Sequence, residues 1–359
     1  MVPGDKLSKL RGDIDGVDRD LVELVSRRAA LALEIGKTKS TDAKAVLDVV
    51  REKEVLEAIA RANPGPLSDR ALKAIFREIV SACREAQEPS RVVFLGPCGT
   101  FSHEAALKQF GETAVYEPVD TIGDVFVAVE NGRAAYGVVP VENTTEGAVT
   151  PTLDALARTS LRILAELEVK VDHYLMSVSG DRSKIRRVIS HPQPLAQCRR
   201  FLGQQLAGVK IEQAASTAAA AQLAARHAGT AAIASRIAAQ IYDLKVIVPS
   251  IQDSSSNVTR FLVVADTPKS LKGAKNRTSL VVSVRDEVGI LERLLRPFAA
   301  NGVNLSMLES RPLQGRPWEY SFFIDVCGHI EDPDVSAAVA EVEKLSLSTS
   351  ILGSYPTAD

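Results

Sequence analysis

The chain has little cysteine, little histidine and almost no net charge. Its four cysteines, Cys83, Cys98, Cys198 and Cys327, lie far apart with no Cys-x-x-Cys pair, and its five histidines show no metal-ligand spacing. This pattern argues against a zinc site or a disulfide framework, so we predict no metal and a reducing, cytoplasmic location. The net charge of −2, from 43 basic and 45 acidic residues, creates no field that would attract nucleic acid or a membrane surface.

Long apolar runs are also absent. No stretch reaches the ~20 consecutive apolar residues of a membrane-spanning helix, and the N-terminal sequence "MVPGDKLSKLRGD" has no apolar signal core. The composition is otherwise ordinary, with 45% hydrophobic and 25% charged residues among 359. We therefore expect a soluble globular protein of two or three domains, without a membrane partner.

Residues 6–87 have the apolar spacing of three helices. The first is predicted over 7–39, the second over 45–62 and the third over 68–87, with a break at "NPGP". The first helix carries a seam of apolar residues at steps of four and three, with one gap: Leu10, Ile14, Val17, Leu21, Leu24, Leu31 and Ile35. A helix of roughly 50 Å, at ~1.5 Å per residue, cannot bury this seam alone, so we expect a homodimer or a higher homo-oligomer.

From Arg91 onward, short strands alternate with helices. The Val- and Ile-rich runs "RVVFLG", "YGVVPV", "RRVIS", "TAAIAS" and "FLVVA" predict an α/β domain with a largely parallel sheet. After a polar, basic linker, the pattern is strand, helix, strand, strand, helix, strand, which is the ferredoxin-like α+β plan. We therefore predict a multidomain protein with domains at 1–90, 91–267 and 276–355.

Polar side chains interrupt the apolar stripes of the three helices. Arg28 and Lys39 each stand four residues after a seam position, and burial of unpaired cations is costly. One interpretation is an internal salt-bridge network. The other is a site for an anionic ligand, which the number of converging groups favours because few carboxylates are in reach. The residues concerned are Arg11, Arg28, Lys39, Asp48, Arg51, Glu52 and Gln87.

The stretches "LRGDIDGVDRDLVELVSRR", "EIGKTK" and "DVVREKEVL" resemble the all-helical chorismate mutase domain, over roughly residues 6–88. The resemblance implies that these seven polar residues form the site and that a partner chain supplies Arg11. Chorismate rearranges to prephenate without proton transfer, so the enzyme must hold one conformer and stabilise charge at the ether oxygen. The implied roles are carboxylate binding by Arg11 and Arg28, contact with the ether oxygen by Lys39 and Gln87, and binding of a hydroxyl by Glu52.

In the central segment, several strands end in small polar residues. The strand "GVVPV" is followed by "ENTTEG", and other strands lead to Ser102, Ser190, Ser216 or Ser235 before a helix. Each hydroxyl could simply cap its helix. Helix N-termini also bind anions, and ligands of open α/β sheets gather at the carboxyl ends of strands. We therefore expect "ENTTEG" to form one wall of a ligand site.

The motifs "GPCGTFSHEAA", "VVPVENTTEGAV", "SHPQPLAQC", "STAAAAQLAA" and "DSSSNVTRF" occur in the order found in prephenate dehydratase. The resemblance covers roughly residues 91–266 and implies a two-lobed fold like that of periplasmic binding proteins. It implies loss of carbon dioxide and water from prephenate to give phenylpyruvate, without cofactor or metal. Thr259 would protonate the leaving hydroxide, and Arg260 would bind a carboxylate. The other implied substrate-binding residues are Ser102, Asn143, Thr144, Ser216, Thr217 and Asn257.

The C-terminal stretch "SVRDEVGILERLLRPFAANGVNLSMLESRP" resembles an ACT domain, an amino-acid-sensing module. The resemblance implies phenylalanine as effector, and "VGIL" replaces the Pro-Gly-Ala-Leu run that is frequent in relatives. Ile290 adds bulk there. The alternative is a dimerisation module without a ligand. The implied effector-binding residues are Gly289, Ile290, Leu291, Glu309, Ser310 and Arg311.

Together these resemblances predict a bifunctional enzyme of phenylalanine biosynthesis that phenylalanine inhibits. Two alternatives remain open at this point. A monofunctional dehydratase could use its helices only to dimerise, although Arg28 and Lys39 on the seam argue against this. A two-lobed solute-binding sensor could lack catalysis, but pure binding would not require a proton donor at Thr259.

Overall fold

The computed structural model describes residues 3–39, 47–267, 270–312 and 319–358. None of the helices in these ranges combines the length and the apolar character needed to cross a membrane. Contacts divide the chain into two compact units. Residues 1–90 and 110–115 form the first unit, and the remaining residues form the second.

Three helices build the first unit, as predicted: α1 (Pro3–Lys39), α2 (Val49–Arg61) and α3 (Asp69–Gln87). The second helix begins at residue 49, later than the predicted start at 45, which lies outside the described residues. Asp48 fixes this start because its carboxylate accepts a hydrogen bond from the Arg51 N–H at 2.9 Å. Ser68 caps α3 in the same way, through the Ala71 N–H at 3.2 Å.

The apolar seam of α1 stays uncovered within one chain. All seven of its side chains, from Leu10 to Ile35, are more than half exposed. A stripe of this size is unusual on the surface of a monomer.

The second unit begins with an α/β region. Its elements, in chain order, are β1 (Arg91–Leu95), α4 (Phe101–Phe110), β2 (Val115–Val119), α5 (Ile122–Glu130), β3 (Tyr136–Asn143), β4 (Gly147–Ala148), α6 (Thr150–Leu156), β5 (Arg162–Lys170), β6 (Tyr174–Ser177), a 3₁₀ turn (Arg182–Lys184), β7 (Arg187–Ser190), α7 (Pro192–Gln197), α8 (Arg199–Gln205), β8 (Lys210–Gln213), α9 (Thr217–Arg226), β9 (Thr230–Ala234), α10 (Arg236–Ile241), β10 (Lys245–Val248) and β11 (Val258–Ala265).

These strands form two sheets, one in each lobe. The first has the order β2-β1-β3-β11-β5, with β4 paired to β3, and the second has the order β10-β6-β9-β7-β8. The prediction of a largely parallel sheet is wrong. Strands joined through helices pair in parallel, as in β1·β3, β7·β8 and β7·β9, whereas β11 runs antiparallel to β3 and β5, and β6 runs antiparallel to β9 and β10. The antiparallel strands are those that enter or leave a lobe, where no helical crossover reverses the chain.

Two chain segments connect the lobes, after β5 and before β11. They bond to each other: the Ile251 N–H donates to the His173 carbonyl at 2.9 Å, and the Val171 N–H donates to the Asn257 carbonyl at 2.9 Å. The His173 N–H also donates to the side-chain oxygen of Gln252 at 3.0 Å. This double connection brings the ends of both sheets to one place.

Residues 276–356 have the predicted ferredoxin-like order: β12 (Asn276–Arg285), α11 (Ile290–Ala300), β13 (Leu305–Pro312), β14 (Glu319–Cys327), α12 (Pro333–Leu345) and β15 (Ser348–Pro356). The sheet order is β13-β14-β12-β15, and its pairs are antiparallel. One face packs on the two helices through buried residues such as Leu280, Phe298 and Val339.

The opposite face of this sheet packs on the first sheet of the α/β region. Val281, Phe323 and Leu352 belong to the same buried apolar cluster as Ile163 of β5. At Gly353, an added Cβ would lie only 2.3 Å from the Ile163 carbonyl oxygen. The two backbones therefore approach so closely that a side chain at position 353 would force them apart.

Candidate active sites

The helical unit encloses a cavity of about 300 Å³. Five of the seven predicted residues line it: Arg28, Asp48, Arg51, Glu52 and Gln87. Arg11 lies elsewhere on the exposed surface of α1, and the side chain of Lys39 lies outside the described residues. The structure thus brings five of the seven predicted residues together at one cavity.

Arg84 is the lining residue that the sequence interpretation missed. Its side chain is 4% exposed and donates to Glu52 at 2.5 Å and to the Phe110 carbonyl at 2.6 Å. Burial raises the pKa of Glu52, and the Arg84 charge opposes this rise. The signal was present in the helical spacing, because Arg84 shares a face of α3 with Val80 and Gln87.

The expected internal salt-bridge network is therefore present only in part. Glu52 is paired with Arg84, while Arg51 contacts Glu54 at 3.1 Å with its side chain 69% exposed. Asp48 is engaged as the cap of α2. Arg28 and Arg51 line the cavity together with Asp48, and their guanidinium groups would complement a ligand with carboxylates.

A second cavity, of about 500 Å³, lies where strand ends of the two sheets meet. The predicted residues that line it are Ser102, Asn143, Ser216, Thr217, Asn257 and Thr259. Asn143 and Glu146 come from "ENTTEG", so this segment forms one wall of the cavity, as expected. Two helices of ten residues, α4 and α9, begin at its edge, where their free N–H groups favour an anion.

The side chain of Asn143 organises this cavity. Its oxygen accepts the N–H groups of Thr145 at 2.9 Å and Glu146 at 3.1 Å. Its NH₂ group therefore faces the other way and donates to Asn257 at 2.7 Å and to the Thr259 hydroxyl at 2.8 Å. Within the described chain no acceptor takes the Thr259 proton, so this hydroxyl can donate into the cavity.

His173 and Gln197 also line the cavity and were missed. The His173 ring nitrogen Nε2 lies 2.8 Å from the Gln197 oxygen, which also accepts from Asn257 at 3.4 Å. Burial lowers the pKa of His173, against the opposing effects of the Gln197 hydrogen bond and the Asp172 charge. His173 lies in a connection between lobes, which no sequence pattern marks, whereas Gln197 follows Gln193 by one helical turn on α7.

Other hydroxyls at strand ends have structural roles. The Ser190 hydroxyl donates to the Ile233 carbonyl at 2.6 Å, and the Ser235 hydroxyl donates to the Gly99 carbonyl at 2.7 Å. Thr144 is exposed, donates to the Ser256 carbonyl at 3.1 Å and accepts the Val258 N–H at 3.0 Å. The prediction that Thr144 lines the site is therefore wrong, because its hydroxyl closes the turn beside the cavity.

The prediction for Arg260 is also wrong. Its guanidinium does not line the cavity but contacts Glu166 at 3.1 Å and Asp325 at 2.6 Å, with 7% of the side chain exposed. Successive residues of a strand point to opposite faces, so Thr259 and Arg260 cannot both face one cavity.

The two stretches predicted to bind an effector lie on different elements of the ACT domain, the turn before α11 and strand β13. Gly289 begins α11 with a φ of 80°, and the space at its Cβ position is open. Arg311 on β13 contacts Asp154 of α6 at 3.3 Å. No hydrogen bond or ion pair joins the stretch around Gly289 to Glu309, Ser310 or Arg311 in the described ranges 270–312 and 319–358.

Comparisons with known proteins divide the chain in the same way. Family models match for chorismate mutase type II at residues 10–88, prephenate dehydratase at 92–269 and the ACT domain at 278–344. A bifunctional chorismate mutase/prephenate dehydratase from Aquifex aeolicus is 40% identical over 99% of both chains.

Solved structures match the second and third of these regions. A prephenate dehydratase from Arthrobacter aurescens in complex with L-Phe has a TM-score of 0.69 and 36% identity, covering 75% of this chain and 90% of that one. GqqA, described as a novel type of quorum quenching acylase, also has a TM-score of 0.69, with 30% identity over 75% of this chain and 98% of its own.

Proposed function

The chain belongs to the bifunctional chorismate mutase/prephenate dehydratase family, and from that premise we propose which residues carry each reaction. The enzyme converts chorismate to prephenate and prephenate to phenylpyruvate. Relatives with both activities match it over its whole length, so neither a monofunctional dehydratase nor a non-catalytic sensor fits. We assign it to the cytoplasm, which suits its four free cysteines.

The helical cavity carries the mutase reaction. Arg28 binds a carboxylate of chorismate, and the Gln87 amide, which packs against Gly36 of α1, donates to the ether oxygen. Lys39 donates a hydrogen bond to the same ether oxygen. The Glu52–Arg84 pair holds Glu52 at the cavity wall, where it accepts a substrate hydroxyl. The side chains supply position and charge, which is what a rearrangement without proton transfer needs.

The second cavity carries the dehydratase reaction, and the orientation of the Thr259 hydroxyl is the observation that supports this most directly. Because Asn143 donates to the Thr259 oxygen, the Thr259 proton is directed to the leaving hydroxyl of prephenate. As the carboxylate departs as carbon dioxide, its electrons enter the ring and the hydroxyl leaves as water. Thr259 then regains a proton from solvent, so charge and atoms balance.

Separate variants should remove one activity each. Thr259→Val keeps the shape of the side chain but removes the hydroxyl, so dehydratase kcat should fall roughly 10²-fold or more while mutase activity persists. Thr259→Ser should retain most of the dehydratase rate. Arg28→Gln should show the reverse loss. Both rates can be followed on the same preparation by ultraviolet absorbance, and loss of both activities in a folded Thr259→Val chain would contradict two independent sites.

A second chain completes the mutase site in this proposal. The α1 seam is exposed within one chain, and Arg11 lies beside Leu10 on that seam. In a dimer formed along α1, burial of the seven seam side chains provides the driving force, and Arg11 enters the partner's cavity.

Hybrid dimers test this arrangement. Arg11→Ala and Arg28→Ala chains should each lack mutase activity. Unfolded together and refolded as an equal mixture, they should recover roughly a quarter of the wild-type mutase rate, because half of the dimers are mixed and each has one complete site.

Refolding each variant alone is the control for the hybrid experiment. Absence of recovery in the mixture, with dimers present by light scattering, would mean that Arg11 acts within its own chain.

We assign phenylalanine to the ACT domain as an inhibitory effector. The solved relative in complex with L-Phe supports this assignment. Since no hydrogen bond or ion pair joins the turn at Gly289 to the segment Glu309–Arg311 within the described residues of one chain, we place the site where two ACT domains meet. Glu309 binds the ammonium group, and Ile290 restricts the space left for the ring.

Glu309→Gln should raise the Kd for phenylalanine about tenfold, because it removes one charge-assisted hydrogen bond. Glu341→Gln, which changes an exposed carboxylate on α12, is the matched control and should bind normally. Calorimetry gives both constants. Equal Kd values for the two variants would place the effector elsewhere.

A further inference from the structure

A buried cluster of charged side chains joins the dehydratase sheet to the ACT sheet. Arg260 of β11 lies 3.1 Å from Glu166 of β5 and 2.6 Å from Asp325 of β14. Arg277 of β12 contacts the same Glu166 oxygen at 2.9 Å. Glu166 and Asp325 are nearly inaccessible to solvent, so two acidic side chains and two guanidinium groups lie in contact inside the protein.

Hydrogen bonds from the ACT domain fix the two carboxylates. Asp325 accepts the Ser279 hydroxyl at 2.5 Å, and Ser279 lies 2.6 Å from the Tyr355 hydroxyl. Glu166 accepts the Ala358 N–H at 3.1 Å. Burial raises the pKa of Glu166 to about 7, against the opposing charge of Arg260. A cluster held at this many points allows little displacement of the Arg260 guanidinium.

Arg260 is also the residue next to Thr259. The pairing of β11 with β3 is irregular between Arg260 and Phe261, directly beside the cavity. The unpaired residue there is Val141 of β3, while β11 itself runs regularly along β5 from Val258 to Val263. Thr259 and Arg260 are therefore consecutive residues of one regular strand, and a displacement of Arg260 displaces Thr259 as well. The Nε atom of Arg260 has no hydrogen-bond partner in the described chain, and the nearest Glu142 oxygen lies 3.5 Å away. The two other guanidinium nitrogens therefore hold Arg260 in place, through Glu166 and Asp325.

Apolar packing alone would join the two domains, since Val281, Phe323 and Leu352 already bury the interface. A buried ion cluster adds little stability over apolar residues of the same volume, but it specifies geometry. The cluster therefore fixes the orientation of the ACT sheet relative to the first sheet of the α/β region.

We infer that Arg260 is a positioning residue for the dehydratase reaction: anchored on Glu166 and Asp325, it sets the position of Thr259 and connects that residue to the ACT domain. This inference rests on the proton-donor role proposed for Thr259. It replaces carboxylate binding as the role of Arg260, and it gives the ACT domain a direct contact with the catalytic strand.

Kinetics of the full chain without phenylalanine test the positioning role. Arg260→Gln should lower dehydratase kcat roughly 10- to 100-fold, as expected for a small misplacement, with KM within about threefold and mutase activity unchanged. Arg260→Lys, which keeps the charge, should recover part of kcat. Arg187→Gln, which breaks the 3.1 Å ion pair with Glu212 on the second sheet, is the control and should keep its kcat.

Asp325→Asn tests the same contact from the ACT domain. It provides an independent test if the Arg260→Gln chain does not fold. It preserves the shape of Asp325 but removes its charge and one of its two acceptor oxygens, so the bonds to Ser279 and Arg260 cannot both persist. Asp325 does not line the cavity, and the variant should lower dehydratase kcat about fivefold or more. A raised KM with normal kcat in Arg260→Gln would mean that Arg260 binds substrate and would overturn the inference. Unchanged kcat in Asp325→Asn would also overturn it.

A second measurement on Asp325→Asn addresses the connection to the effector. Its Kd for phenylalanine should stay within about threefold of the wild type, while the inhibition at saturating phenylalanine should fall about fivefold or more. Full inhibition with normal binding would overturn the connection. If the wild type itself neither binds phenylalanine nor responds to it, the effector proposal fails, and the kinetics without phenylalanine still decide the positioning role.

Discussion

The two faces of strand β11 contact different parts of the protein, the cavity between the lobes and the ACT sheet, because successive residues of an extended strand point to opposite sides of the sheet. Thr259 faces the cavity between the lobes, while Arg260 faces the ACT sheet, where Glu166 and Asp325 hold its guanidinium. A shift of the ACT sheet would therefore displace Arg260, which is the residue next to the proposed proton donor Thr259. The close backbone approach at Gly353 belongs to the same interface, so the two sheets are in direct backbone contact beside the ion cluster.

The two cavities differ in the groups that are proposed to hold an anionic substrate. Arg28 and Arg51 line the helical cavity, where Arg84 is paired with Glu52. No lysine or arginine is among the described residues that line the second cavity, where the N-termini of α4 and α9 supply N–H donors. The difference fits the chemistry: the rearrangement needs fixed charge near an ether oxygen, whereas the dehydration needs a hydroxyl that releases its proton.

Much of this arrangement could be predicted from the sequence. Apolar periodicity was sufficient for the three helices and for the ferredoxin-like order, and five ordered motifs located Asn143 and Thr259. The sequence did not reveal which side chains face each other across elements distant in the chain. His173 was missed for this reason, whereas the helical spacing of α3 could have identified Arg84. Arg260 was assigned to the wrong face because a motif names a residue without its orientation. The mixed sheets were missed because strand composition does not encode strand direction.

The contact between Arg260 and Asp325 can be measured directly with a double-mutant cycle. Dehydratase kcat would be determined for the wild type, Arg260→Gln, Asp325→Asn and the double variant under identical conditions. If the ACT domain positions Thr259 through this contact, the double variant should be little worse than Arg260→Gln alone, with a coupling energy of about 1–3 kcal/mol. Effects that add to within about 0.5 kcal/mol would show that the two residues act independently, and would contradict the account.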